Sequence, residues 1–353
     1  MFPVQAVLAS ILLFGIAAGD TVPTGGPPLP PSGPITITTG GTYIGHWVSA
    51  GSTPAVRIRT TEPVTIKNSF VTNVGDGTLI ESEIGLASNV TIEGVHAKGG
   101  SGRFFVGEGI KSLVVRNSEI LRTGGIYVLK TQPGGVISVT RNKQRDVQGA
   151  AGLRQFLQLN EVTTATIDVS WNEIVNTFGR SRVEDNISIY KSAFAKVHDN
   201  YIQGAYPSGA DERFAGSGIM IEGGSHNNEI YSNQIVDTTN AGIGIFAGYN
   251  NRVHSNRLVF DGRLWTGEKL AGANVGIFVW NATRDPSWAN NQAYGNYVGW
   301  VNAKGSRNDW WLPHCSGSCG NVQFSGAISR ASEFTEYVGW LRKLSARRIT
   351  IGA

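Results

Sequence analysis

Apolar and polar positions alternate at period two in a series of short runs: Phe156–Asn160, Asn186–Tyr190, Gly218–Glu222, Gly242–Phe246 and Gly276–Trp280. That alternation marks strands with one face buried. A second unit follows each run: an apolar residue, two others, an Asn, one residue, then another apolar one. It reads Val169-Ser170-Trp171-Asn172-Glu173-Ile174 in one place and Val253-His254-Ser255-Asn256-Arg257-Leu258 in another. Further copies centre on Asn117, Asn200 and Asn233, with weaker ones at Asn68, Asn142 and Asn296 and Gly94 in the equivalent place of one more. Each repeat therefore holds two or three short strands separated by sharp bends. One repeat cannot bury its own apolar face, so repeats must stack. The connections within a coil make coil-on-coil pairing parallel.

These repeats resemble the right-handed parallel β-helix of the pectin lyase-like superfamily, over roughly residues 35–324. The resemblance implies an all-β solenoid in which stacked Asn side chains form a ladder at a tight bend, satisfying backbone groups that the bend exposes. The series Asn117, Asn142, Asn172, Asn200, Asn233 and Asn256 is expected to form that ladder, a structural role rather than a catalytic one. Solenoid ends need covering. A short C-terminal capping helix is expected over Ser332–Leu344, with Ser332 as N-cap and a stripe of Phe334, Val338, Leu341 and Leu344. The N-terminal run Val4–Ala18 ends in small residues and reads as a secretory signal peptide, over 1–19. A Pro-rich linker, 20–34, precedes a β-helix domain over 35–330 and a C-terminal helix and tail over 331–353. The chain is expected to be secreted or periplasmic, monomeric and without a membrane anchor.

Composition narrows the class. The 353 residues include 46 Gly, while charged residues make up only 16%, below the usual ~25%. So much Gly disfavours a helical bundle, and 41% hydrophobic residues disfavour a disordered chain. The formal net charge is +4, and no basic run interleaves with aromatics, so nucleic acid is not an expected partner.

A groove is expected where the strand ahead of the Asn bend turns alternate residues outward. One outward column reads Asn160, Tyr190, Glu222, Phe246, Trp280. The column one pair earlier reads Gln158, Ser188, Met220, Gly244, Phe278. Coils lie ~4.8 Å apart, so five coils make a strip about 20 Å long, comparable with several sugar units. Aromatics beside a carboxylate suit a glycan, whose rings present apolar faces and hydroxyls. Long loops over 176–185, 204–217 and 260–275, the last containing Trp265, precede these strands and could wall such a cleft. The expected substrate-binding residues are Asn160, Tyr190, Phe246, Trp265, Phe278 and Trp280.

Two chemistries fit this groove. A polysaccharide lyase acting on an acidic, uronate-containing glycan needs a base and a cation that stabilises the enolate. Lys191, just beyond the outward strand, is the first candidate; Lys130 and Arg154 hold similar strand-edge places, and Arg213 lies in a loop. A glycoside hydrolase needs two carboxylates across the scissile bond. Glu222 is the carboxylate of the outward column, with Asp185, Asp211 or Glu212 as its partner. Elimination is the leading expectation. A hydrolase or epimerase on the same groove, or a non-catalytic carbohydrate-binding or adhesin β-helix, is the alternative. No Asp cluster typical of Ca²⁺-dependent pectate lyases, and no paired-Asp polygalacturonase motif, is present, so no catalytic residue carries over from those families. No metal site is assigned: Ca²⁺ has no clear site in the groove, and Zn²⁺ would need more ligands than His314, Cys315 and Cys319. Cys315 and Cys319, the two cysteines, are expected to close a small-loop disulfide in an exported chain. Sequons begin at Asn89, Asn186 and Asn281.

Overall fold

The structure, a computed structural model, describes residues 29–148, 154–206, 216–264, 266–270, 272, 275–313 and 317–353. The chain winds as a parallel β-helix of eleven coils, starting at Ile35, Val56, Ile80, Phe105, Ile126, Leu157, Asp185, Ser217, Ala241, Val275 and Trp310. Each complete coil adds one strand to each of three sheets. The third sheet alone stacks eleven strands, from His46–Ser49 to Val322–Gln323, all in parallel register. The first and second sheets meet at a corner that two long strands, Phe105–Arg116 and Ile126–Thr140, cross without breaking.

The interior is built from the period-two positions. Val56, Ile80, Phe105, Ile126, Leu157, Ile187, Ile219, Ile243 and Ile277 stack in one inward column of the first sheet, all fully buried. β-Branched residues dominate because two substituents on Cβ fill the flat space between coils with little rotamer freedom to lose. Fully burying each such side chain contributes about 1.5–3 kcal/mol.

The ladder is present at the corner between the second and third sheets, without Asn117 and extended by Asn296 and Asn321. Asn142, Asn172, Asn200, Asn233, Asn256 and Asn296 are each fully buried, and each amide oxygen accepts from the backbone N–H and side-chain amide of the coil before or from an equivalent group. Asn117 is not a rung. It occupies the bend one residue earlier, in the left-handed region at φ 48, and Ser118 takes the ladder position, its N–H donating to Asn142 Oδ1 at 3.0 Å. Asn suits both places for different reasons: a side chain that bridges coils, or a backbone that tolerates positive φ. A second, shorter ladder runs through Asn228, Asn251 and Asn291 at the first bend.

The C-terminal helix, α1, spans Arg330–Arg347, with Ser329 as N-cap and Ser332 at the third position of a capping box. It lies against the third sheet, on the strands Gln234–Thr238 and Arg257–Phe260. Its buried residues are Glu333, Glu336, Trp340 and Leu344, whereas Leu341 is exposed. Charge as well as apolar packing docks it: Glu336 takes two hydrogen bonds from Arg257, at 2.7 and 2.8 Å, and Lys343 pairs with Asp199 at 2.7 Å. Trp340 fills the joint beside Trp171 and Tyr201, its indole N–H donating to the Asp199 carbonyl at 2.9 Å.

Asn186 heads one sequon but is fully buried, its amide donating to the Gly204 and Ser217 carbonyls. It is closed to glycosylation in the folded chain. Cys319 packs against the core, while Cys315 lies outside the described residues.

Candidate functional site

The register of the first sheet places the outward columns as the alternation implies. Asn160, Tyr190 and Glu222 pair in succession, and Phe246 and Trp280 follow the paired Ile245 and Val279. The neighbouring column runs Gln158, Ser188, Met220, Gly244, Phe278 and, one coil further, Trp311.

Exposure divides these columns. Phe278 is only 6% exposed and packs with Met220, Ala241 and Val275 in a separate apolar cluster, with Phe246 at its margin. The Phe246 and Phe278 rings meet edge to face at 4.7 Å. Gly244 makes that possible: a Cβ there would come within 2.4 Å of the Phe278 ring and 2.7 Å of the Met220 sulfur. Phe278 therefore supports the face from beneath rather than offering a ring to a ligand. Trp280 and Trp311, by contrast, are 50% and 56% exposed. They form the open aromatic end of the face.

Toward the N-terminal coils the same face is polar and charged. Glu222 is half-buried, and burial together with the charge of Glu184 raises its pKa above the ordinary carboxylate value. Asp185 is nearly enclosed. Burial pushes its pKa well up, Glu222 and Glu184 add to the rise, and hydrogen bonds with Ser217 oppose it. Glu184 accepts a hydrogen bond from Gln155 Nε2. The charge of Glu184 thus acts on both Asp185 and Glu222, which lie at the start and the end of neighbouring strands. Facing them, Arg103 lies over the Tyr127 ring at 4.6 Å and donates to Gln158 Oε1 at 3.3 Å. Burial and the neighbouring charge of Arg154 bring its pKa down to about 10, against the pull of Tyr127 and Glu184. Asn160 Nδ2 donates to the Tyr127 hydroxyl at 3.1 Å. Two amide oxygens here, Gln155 Oε1 and Asn160 Oδ1, are buried with no partner. Buried acceptors without donors are uncommon, and they suit a ligand that supplies hydroxyls.

Lys191 lies outside this cluster. It is exposed in the bend at φ 48, its Nζ 3.6 Å from Glu161, which Lys130 also approaches at 3.5 Å. The Lys–Glu–Lys series is a corner ion-pair row. Asp211, Glu212, Arg213 and Trp265 lie outside the described residues. Among the described residues no group of three or more His, Cys, Asp or Glu side chains is placed to hold a metal ion.

Sequence reasoning passed over Glu184, Gln155, Arg103 and Tyr127. Extending the Gln158 column one coil back reaches Tyr127, its register partner. Glu184 and Arg103 precede their strands, where alternation gives no signal. The chain matches no family model, no curated protein and no solved structure. The parallel β-helix is thus established from the coordinates alone.

A row of rings on the second sheet provides a useful contrast. His198, Tyr231, His254 and Tyr294 stack face to face, with centroids 4.7, 5.4 and 5.2 Å apart. Successive rings cover each other's faces, so this row offers edges only and serves the solenoid.

Proposed function

We propose that this β-helix is an exported polysaccharide-active enzyme of the pectin lyase-like kind, and that its first-sheet groove cleaves glycosidic bonds by hydrolysis. The observation that carries this reading is that burial and the charge of Glu184 push Glu222 toward its protonated form on the outward face of the first sheet. Pairs of carboxyl groups driven to different protonation states are the working parts of a glycosidase. In this reading Glu222, reachable and raised, protonates the leaving glycosidic oxygen. Glu184, oriented by Gln155 and facing Arg103, activates the attacking water. Asp185 sits behind them, its enclosed carboxyl favouring protonation through burial. Gln155 Oε1 and Asn160 Oδ1 accept from sugar hydroxyls, and Trp280 and Trp311 stack against rings further along the chain.

Elimination is the second reading, favoured by one observation: Arg103, its pKa lowered beside Arg154, would suit a base or a clamp on a uronate carboxylate. Lys191, tied to Glu161 at the corner, is less suited to that role. An assay on a panel of neutral and uronate-containing polysaccharides separates the outcomes. New reducing ends without an ultraviolet-absorbing unsaturated product support hydrolysis; the unsaturated product supports elimination. Glu222→Gln and Glu184→Gln abolish hydrolysis while Lys191→Ala retains it. Binding to a glycan column with no turnover of any member would instead identify a carbohydrate-binding β-helix.

A further inference from the structure

Away from the groove, the C-terminal tail passes back over the bend that precedes the Asn ladder. Gly352 N–H donates to the Arg141 carbonyl at 2.8 Å, and Lys343 and Arg347 stand over the Trp171 ring. Between tail and bend lies a cavity of about 380 Å³ whose lining includes Asn117, Arg141, Arg347, Arg348 and Thr350.

Three arginines line it, and no Asp or Glu does. Arg145, Arg257, Arg307 and Arg330 each hold an acidic partner, whereas among the described residues Arg141, Arg347 and Arg348 make no ion pair. Like charges brought together repel unless an anion lies between them. Arg141 stands in the left-handed region at φ 59, as do Trp171, Asp199, Ser232 and Ser255 at the same bend of later coils, and Arg348 caps the helix at φ 54. Asn117 contributes a second feature: its amide oxygen is buried and has no partner. The lining thus combines several donors of positive charge with one vacant acceptor.

We infer that this cavity binds a phosphate group, a tetrahedral oxyanion that also carries a proton to donate, and that the bound group ties the C-terminal tail to the solenoid wall. Arginine forks match tetrahedral oxyanions geometrically, and Asn117 Oδ1 takes the P–OH proton. Sulfate lacks that proton near neutrality and binds more weakly. The group is either free inorganic phosphate or the phosphate of a sugar ester; both present the same chemistry to the arginines.

The test uses the full chain, titrated by calorimetry and thermal unfolding with inorganic phosphate, a hexose phosphate, sulfate, and chloride at matched ionic strength. Saturable binding and a raised thermal midpoint are expected with phosphate, less with sulfate and none with chloride. Whichever of phosphate and hexose phosphate binds tighter identifies the source. Arg141→Asn with Arg348→Asn removes both charges while suiting the left-handed backbone. It weakens phosphate binding by roughly tenfold or more per guanidinium removed, in keeping with charge-assisted hydrogen bonds. Arg347→Gln, in a regular helical turn, provides a second variant free of bend effects. Equal stabilisation by chloride, or unchanged phosphate affinity in these variants, overturns the inference.

Discussion

Two columns run along the solenoid with one residue per coil, and they differ in almost every respect. The ladder column at the second bend repeats Asn142 to Asn296, fully buried, with the same hydrogen bonds at each step. The outward column of the first sheet reads Asn160, Tyr190, Glu222, Phe246, Trp280, and its environment changes from charged cluster to open aromatic surface within five coils. The same backbone register supports both. Where a side chain must satisfy its neighbours' backbone, one residue type repeats; where it faces away, composition is free to carry chemistry. Uniformity along a solenoid column marks structure, and variation marks a candidate site.

The comparison breaks most sharply at Glu222. Glu222→Gln keeps shape and packing, so folding stability should stay within about 0.5 kcal/mol, while turnover of the cleaved polysaccharide falls by about 10²–10⁴-fold. Reducing-end assays beside urea unfolding check both halves. A large stability loss with activity retained would reverse the roles assigned to the two columns.

Asn200→Ala tests the other side. Asn200 accepts from Asn172 N–H and Nδ2 and donates to the Val169 carbonyl at 2.8 Å, all buried. Its removal strands several polar groups and costs about 2–4 kcal/mol in denaturant unfolding. Asn117→Gly, at a bend that is no rung, should change stability by under about 1 kcal/mol and may be compared in the same experiment as its control.

A smaller effect is expected at the open end. Trp280→Ala leaves the core untouched and raises KM for a long glycan by roughly tenfold, the loss of about 1.4 kcal/mol of stacking. Steady-state kinetics on oligosaccharides of increasing length reads it, and an unchanged KM would remove Trp280 from the binding surface.

A pH effect is expected beside the ladder as well. Burial opposes the charge on His198, but Asp168 at 3.1 Å and Asp199 at 3.0 Å overcome it and raise its pKa to about 9, from an ordinary 6.5. Because the folded value is the higher one, the protonated ring stabilises the fold fully below about pH 6.5, and that contribution is lost as pH rises through about 9. Thermal midpoints measured between pH 6 and 10 should therefore fall more in the wild type than in His198→Gln. Parallel curves would mean that His198 contributes no pH-linked stability.

Much of the fold was legible because its signal is periodic. Alternation marked Gly218–Glu222 and Gly242–Phe246, and the register of those strands is the one their pattern implies. The ladder was legible too, except where Asn117 and Ser118 exchange roles, since a left-handed bend and a bridging rung both favour Asn. The helix was found, but of its expected stripe only Leu344 is buried. Phe334 and Leu341 suggest an apolar stripe, whereas Glu333 and Glu336 are buried because Asp261 N–H and Arg257 await them on the sheet. Such partners, more than seventy residues distant in sequence, leave no local trace. The candidate site was half legible: Glu222 and Trp280 stood in the alternation and Asp185 was picked from the adjacent loop, while Glu184 and Arg103 precede their strands and gained meaning only from the coils stacked beside them.

The sequence by itself determined the coil, the bends and the inward columns, because those depend on spacing along the chain and on what each residue's own backbone tolerates. Only the tertiary structure decided which outward residues meet. It separated Phe278 from Trp280, set Lys191 against Glu161 and exposed Glu222 to the charge of Glu184, because exposure and charge environment are properties of neighbouring coils rather than of neighbouring residues.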